Sequence, residues 1–237
     1  MTPHVLNGAF ERVSRAEKHL TDLQRRINQW LDEQENAVVF QFEPKLPHNQ
    51  IVDTSGCIGP PFIVGILIGE IAYNLRNALD YLIFELAKLD SGREQKMTQF
   101  PIENTKKGFD GCVKAGRLKG INPAHIAAIE RLQPYAGCNW TGTLRDISNP
   151  DKHRELTNIK GSWTVHFSHR FNEPNAIALA AIPKPIRRTH HPIHGNVDVK
   201  LGLTATITLD DGTPIAQALE VIKLQVANTL TDFQPEF

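Results

Sequence analysis

About two-thirds of the way along the chain, at Gly161, the apolar residues change from helical to alternating spacing. That switch requires helices and an antiparallel sheet in one molecule and excludes an all-helical bundle or a β-sandwich. Beyond Gly161, Trp163, Val165 and Phe167 alternate with Thr164, His166 and Ser168. Asn172–Asn175 reads as a turn, Ala176–Ile182 as a second strand and Ile186–His190 as a third. The clearest run is Val197–Leu209. Val197, Val199, Leu201, Leu203, Ala205, Ile207 and Leu209 take one face, with Asp198, Lys200 and three threonines on the other. A half-buried antiparallel strand has this pattern. Asp210-Asp211-Gly212 turns the chain into a last helix, whose Ile215, Leu219, Ile222, Val226, Leu230 and Phe233 form a stripe expected to face the sheet.

Before Gly161 the spacing is helical. Phe10, Val13, Ala16, Leu20, Leu23, Ile27 and Trp30 mark one long amphipathic helix. A strand is predicted at Ala37–Phe42, stopped by Pro44 and Pro47. A second long helix is predicted from Pro61 to Leu89, with Ser91-Gly92 at its end. Gln99–Ile102 reads as a short extended piece. Shorter helices are expected at Lys106–Ala115, Pro123–Leu132 with Asn122 as N-cap, Thr143–Ile147 and Pro150–Thr157. The fold class is therefore α+β: a long-helix bundle in the N-terminal two-thirds, then an antiparallel β meander and a C-terminal helix. With no repeat or low-complexity linker, the chain reads as one domain over 1–237. A sub-boundary near 160 would separate a helical part from the sheet and terminal helix.

Composition narrows the function classes. Lys plus Arg is 26 and Asp plus Glu is 26, so no global basic field draws the chain to nucleic acid or membrane. Three cysteines (Cys57, Cys112, Cys138), none in a C-x-x-C spacing, argue against a disulfide framework and a thiolate zinc site. Residues 1–10 lack a basic n-region and an apolar h-region, so no signal peptide is read and the expected location is cytoplasmic. The most lipid-like stretch, Thr54–Gly69, is too short and too rich in Pro and Gly to span a bilayer, and is expected to begin a buried helix without membrane contact.

The second long helix carries the functional signal. Ile71, Leu75, Ala78, Leu79, Leu82, Ile83 and Leu86 fill one arc, which is core. The opposite arc holds Glu70, Asn74, Arg76, Asn77, Asp80, Tyr81 and Glu85, with Tyr73 and Phe84 among them. A solvated face usually carries Lys and Glu, and asparagine competes with the helix backbone, so two mid-helix asparagines suggest specific bonds. The structural alternative is a second helix packed on this arc, its polar groups satisfied internally.

Arg76-Asn77-Ala78-Leu79-Asp80-Tyr81 resembles the motif of HEPN ribonuclease domains, an Arg and a polar residue followed, after three more, by His on one helix. The resemblance implies metal-independent RNA cleavage at a dimer interface, with the Arg stabilising phosphate charge and the His taking part in proton transfer or binding the scissile region. Arg76 and Asn77 match; the His position is Tyr81, a weaker general base at neutral pH.

A second cluster, Ser148-Asn149-Pro150-Asp151-Lys152-His153-Arg154, reads as a helix start with Asn149 as N-cap and Pro150 at the first position. Cations in such a first turn make sense opposite an anion or a carboxylate. N-L-R-x-A-L-D, followed some 75 residues later by N-x-D-K-H-R, with Leu132-Gln133-Pro134-Tyr135 between, resembles a family of uncharacterised bacterial and phage-type proteins over about residues 65–156. That resemblance implies that Arg76, Asp80, Asp151, His153 and Arg154 are neighbours. The candidate catalytic set is Arg76, Asp80 and His153. Asn77, Tyr81, Glu70, Asn74, Asp151, Lys152 and Arg154 form the binding set. Asp80 or Asp151 would orient His153, with Arg76 and Arg154 on a phosphate or carboxylate. The competing reading is a salt-bridge network tying two helical segments together.

His166, His169 and the H-H-x-x-H of His190, His191 and His194 could ligate zinc, but the run lacks a glutamate base, and Pro192 and Gly195 mark a hairpin tip. With Lys184, Arg187 and Arg188 that hairpin forms a local basic patch without aromatic stacking residues. Phosphate-loop, dinucleotide and nucleophile-elbow motifs are absent from the sequence. The expected function is a polar interhelical site, HEPN-like, that binds or cleaves RNA or another phosphate compound without cofactor or metal. The alternatives are a non-catalytic interaction module dimerising through its long helices, and a metal-dependent hydrolase built on the His-rich strands.

Overall fold

The computed structural model describes residues 4–46, 49–152, 160–170, 186–208 and 212–237. The chain divides into two compact units. One comprises Met1–Gln24, Phe62–Ile159 and Thr208–Phe237; the other comprises Arg25–Pro61 and Lys160–Ile207. Helix α1 (Asn7–Ala37) runs from the first into the second.

The first unit is helical: the start of α1, then α2 (Phe62–Ser91), α3 (Lys106–Lys114), α4 (Pro123–Arg131), α5 (Asn139–Lys152) and α6 (Ile215–Phe233). Its centre is α2, of whose 30 residues 15 are buried, including Leu75, Leu79, Leu82, Ile83 and Leu86. A helix apolar on so wide an arc needs neighbours on several sides, and α5 and α6 both pack on it. By length and composition α2 could cross a bilayer, but 67% of its most apolar window is buried within the protein. Caps fix the shorter helices. Thr105 accepts from Gly108 N at the start of α3, and Asn122 accepts from His125 N ahead of Pro123 at the start of α4.

The second unit joins the end of α1 to β1 (Val39–Phe42) and β2 (Gln50–Asp53), an antiparallel pair in register from Val39↔Asp53 to Phe42↔Gln50. It also holds the strands β3 (Lys160–Arg170), β4 (Ile186–His191) and β5 (Gly195–Thr208). Val38, Phe42, Val197 and Val199 form its core. Gln34 Oε1 accepts from Ile58 N at 2.8 Å and Trp30 Nε1 donates to Ile58 O at 3.2 Å, which holds the 54–61 segment against α1.

The α+β class expected from the sequence is the class observed. Four details differ. Strand order is β3-β5-β4, so the longest strand lies in the middle and the described strands do not follow the chain order of a meander. The stripe of α6, expected to face the sheet, packs on α2 and α5. The two helices expected at Thr143–Ile147 and Pro150–Thr157 are one helix, α5, through Lys152. Asn149 and Pro150 lie within that helix, so Asn149 is not an N-cap. Strand β2 has only two apolar residues, too few to show a period. The strand expected at Ala176–Ile182 lies outside the described residues.

Candidate functional site

The polar arc of α2 divides between two neighbours. Toward α1, the Glu70 carboxylate lies 3.3 Å from His19 Nδ1. Asn74, buried, donates to Glu70 O at 2.8 Å and accepts from Arg12 Nη1 at 3.4 Å. The Arg12 guanidinium sits 5.9 Å above the Tyr81 ring, whose edge lies against Gly8, where a Cβ would approach to 3.2 Å. The mid-helix asparagine thus bonds its own backbone and the facing helix, as such residues do when they are not competing with the helix.

Arg76 and Asp80, one turn apart, face the segment between α2 and α3. Arg76 Nη2 donates to Phe100 O at 2.7 Å, and Asp80 Oδ1 accepts from Phe100 N at 2.8 Å. The pair takes both backbone groups of a residue whose ring is wholly buried. Arg76 Nε is buried with no hydrogen-bond partner among the described residues. Burial pulls the Arg76 guanidinium below its ordinary range, opposed by the charge of Asp80 and reinforced by Arg117 and Arg145 nearby.

Other side chains hold the same segment. Arg117 donates to the Gln99 side chain, while Gln99 N donates to Arg117 O at 3.0 Å. Gln133, buried, accepts from Glu103 N at 3.0 Å and donates to Ile129 O at 3.0 Å. Arg145 Nη1 donates to Asn104 Oδ1 at 2.8 Å. The expected extended piece at Gln99–Ile102 forms no strand. Both backbone groups of Phe100 are satisfied by side chains and Gln99 N by the carbonyl of Arg117. Arg76 and Asp80 of N-L-R-x-A-L-D and Gln133 of L-Q-P-Y therefore meet at one buried segment, a relation that sequence spacing could not reveal.

Asp151 and Lys152 belong to α5 and not to the start of a separate helix. His153 and Arg154 lie outside the described residues. Asn77, Asp80 and Tyr81 line a shallow groove of about 440 Å³ with Phe84, Gln95, Met97 and Thr98. Met97 is 78% exposed and has a positive φ of 65°.

In β4, His190 and His191 stand opposite Asn196 and Gly195, so residues 192–194 are the hairpin tip. Among the described residues no three His, Cys, Asp or Glu side chains gather as metal ligands. Burial pushes the thiols of Cys57, Cys112 and Cys138 up; Glu103 adds to this at Cys112 and Asp53 at Cys57. None has the depressed titration of an activated nucleophile.

The sequence reading missed a polar centre at the other end of α2. Asp90 accepts from Asn122 N at 2.8 Å and from Asn122 Nδ2 at 2.9 Å, and His125 Nδ1 lies 2.8 Å from its Oδ2. On the far side of the ring, Nε2 lies 3.5 Å from Glu236 Oε2 in the 3-10 turn Gln234–Glu236 that follows α6. The Phe233 ring stands edge-on to the imidazole, 6.1 Å between centroids. A groove of about 740 Å³ opens over these groups, walled also by Ala128, Arg131 and Asp232. The N-cap Asn122 was the one signal of this site in the sequence. No protein-family model matches the chain, and neither a curated protein nor a solved structure resembles it significantly.

Proposed function

We propose that the chain is a non-catalytic interaction module that pairs with a second copy of itself through α2. The observation carrying this reading is a row of exposed apolar residues on one arc of that helix. Phe62 is 82% exposed, Tyr73 53%, Ile66 42% and Tyr81 42%. At 100° per residue the four fall within about 100° of one another. Apolar residues scattered singly over a surface need no explanation; an aligned row marks a contact. The charged groups nearest the row are already engaged: Glu70 by His19, Asp80 by Phe100 N, and the Arg12 guanidinium by Asn74 and the Tyr81 ring itself. A row with little free charge does not repel its own copy. The same engagement speaks against catalysis, because an Arg76 guanidinium donating to Phe100 O is held away from any phosphate.

Light scattering across a concentration series tests the pairing. The expected mass approaches twice 26.6 kDa as concentration rises, and Ile66→Lys or Tyr73→Lys restores the monomer at unchanged melting temperature. A monomer mass throughout would sink the reading.

A second reading, HEPN-like binding or cleavage of RNA, is favoured by Asn77 and Tyr81 lining one groove, an amide beside an exposed aromatic ring. A single-stranded RNA binding and cleavage assay, with Asn77→Ala and Arg76→Ala as controls, tests it. Loss of RNA binding in Asn77→Ala, without loss of folding, would support it.

A further inference from the structure

We infer that Met97 is the side chain with which two copies lock together, each seating its Met97 in the groove beside Tyr81 of the other. This lock rests on the pairing through α2 above and names the residue that fixes its register. The groove, which Asn77, Asp80, Tyr81 and Phe84 line from α2, continues the exposed row of that helix. At 100° per residue Asn77 and Phe84 fall inside the arc of Phe62, Ile66, Tyr73 and Tyr81, and Tyr81 belongs to both features. The one carboxylate on the lining is Asp80, whose Oδ1 is taken by Phe100 N.

Among the described residues Met97 is the one non-glycine with a positive φ, 65°. That conformation is strained for an L-residue and is taken freely by glycine. Here it carries a long apolar side chain and holds it 78% exposed at the edge of the groove. Strain of this kind persists where the surroundings enforce it, and it gathers at sites that bind or switch. The turn is fixed on both sides: buried Gln95 donates to Ser91 Oγ at 2.9 Å, and Gln99 N donates to Arg117 O at 3.0 Å. A projecting side chain and a receiving groove thus lie side by side on one face. A two-fold interface needs both on the same patch, whereas a different partner would need only one, so the surface fits a second copy. Methionine suits the role: it is unbranched, fills irregular apolar gaps, and its sulfur packs well at the edge of a ring such as Tyr81 or Phe84.

Light scattering over a concentration series, combined with peroxide footprinting of the full chain, tests the lock. Hydrogen peroxide converts an exposed methionine to its sulfoxide: the sulfur takes one oxygen atom and the peroxide leaves as water. The chain has two methionines, Met1 and Met97, which mass spectrometry of peptides separates. Conversion of Met97 should slow as rising concentration carries the chain from single copies to pairs. Met97→Gly removes the side chain and relieves the backbone strain, so it folds; it should raise the concentration at half-pairing by about tenfold or more. Met97→Leu keeps an apolar side chain of similar volume and should stay within about threefold of the parent. Unchanged pairing in Met97→Gly, or conversion of Met97 at one rate across the whole series, overturns the lock. A monomer in Ile66→Lys would then leave pairing through α2 standing, whereas a parent chain that is monomeric throughout removes both. Shielding of Met97 by added single-stranded RNA and not by a second copy gives the groove to that ligand, and the lock falls as well.

Discussion

Asp80 Oδ1 accepts a hydrogen bond from Phe100 N at 2.8 Å, across 20 residues of chain. Arg76, one turn earlier, donates to the carbonyl of the same residue. A long helix thereby holds an irregular buried segment by its peptide groups. Asp80→Ala leaves the Phe100 N–H buried without an acceptor, and such an orphan costs about 1–3 kcal/mol. Denaturant unfolding should show that loss. Asp80→Asn, which keeps a side-chain oxygen for the bond, should lose clearly less. Equal losses in the two variants would mean that the carboxylate charge, not the hydrogen bond, holds the segment.

Gln133 performs the same task from the other side. Its amide bonds Glu103 N and Ile129 O in a site closed to solvent. Gln133→Leu preserves the volume but removes both bonds; Ile129 O keeps Leu132 N while Glu103 N loses its acceptor, so the change should cost about 1–3 kcal/mol. Gln133→Glu retains the acceptor for Glu103 N but sets a carboxylate oxygen against Ile129 O. It should be destabilising near neutral pH and partly recover as pH falls and the acid becomes a donor. Thermal melts of the three proteins at two pH values would show this order.

What could be read from the sequence follows from how local each signal is. The long helices and the strands β3 and β5 have periods spanning many residues, and the Asn122 cap is written within four. The stripe on α6 was equally clear, but a stripe says that a face is buried and not what buries it; the face met α2 and α5. Asn149-Pro150 has the local chemistry of a helix start yet lies within α5, so that chemistry alone did not locate the boundary. The Arg76–Asp80 pair was visible as a polar oddity, while its partner was a backbone group, which carries no sequence signature. Asp90 and His125 lie 35 residues apart, joined only by the reversal through α3 and the cap of α4.

Gly120 occupies a left-handed conformation, φ 84°, directly beneath Gln95. A Cβ there would come within 2.8 Å of Gln95 Cγ. Because the opposing atom belongs to a flexible side chain, the backbone term should dominate, about 1–2 kcal/mol for an L-residue in this region. Gly120→Ala should lower the melting temperature by about 2–8 °C in a chain of this size. Adding Gln95→Ala should relieve only the contact part. Full recovery in the double variant would show that the side-chain contact, not the backbone conformation, requires glycine.

Tyr135 gives a pH dependence with a definite sign. Its hydroxyl donates to Glu130 Oε1 at 2.8 Å. Burial, then that bond to a carboxylate, pushes the phenol up to about 12. Glu130 moves the opposite way, lowered first by the Tyr135 hydroxyl and then by Lys106. A raised acid favours its protonated form in the folded state, so the stabilisation from Tyr135 is complete below the ordinary phenol value of about 10. It is lost as pH rises from about 10 through about 12. The lowered Glu130 contributes above the ordinary carboxylate range and loses its contribution as pH falls through its folded value. Ultraviolet titration of the three tyrosines should resolve one late step near 12, absent in Tyr135→Phe. Glu130→Gln should move that step earlier, because it removes the carboxylate that opposes ionisation of the phenol. A late step that survives Tyr135→Phe would assign it to Tyr73 or Tyr81 and break the link to Glu130.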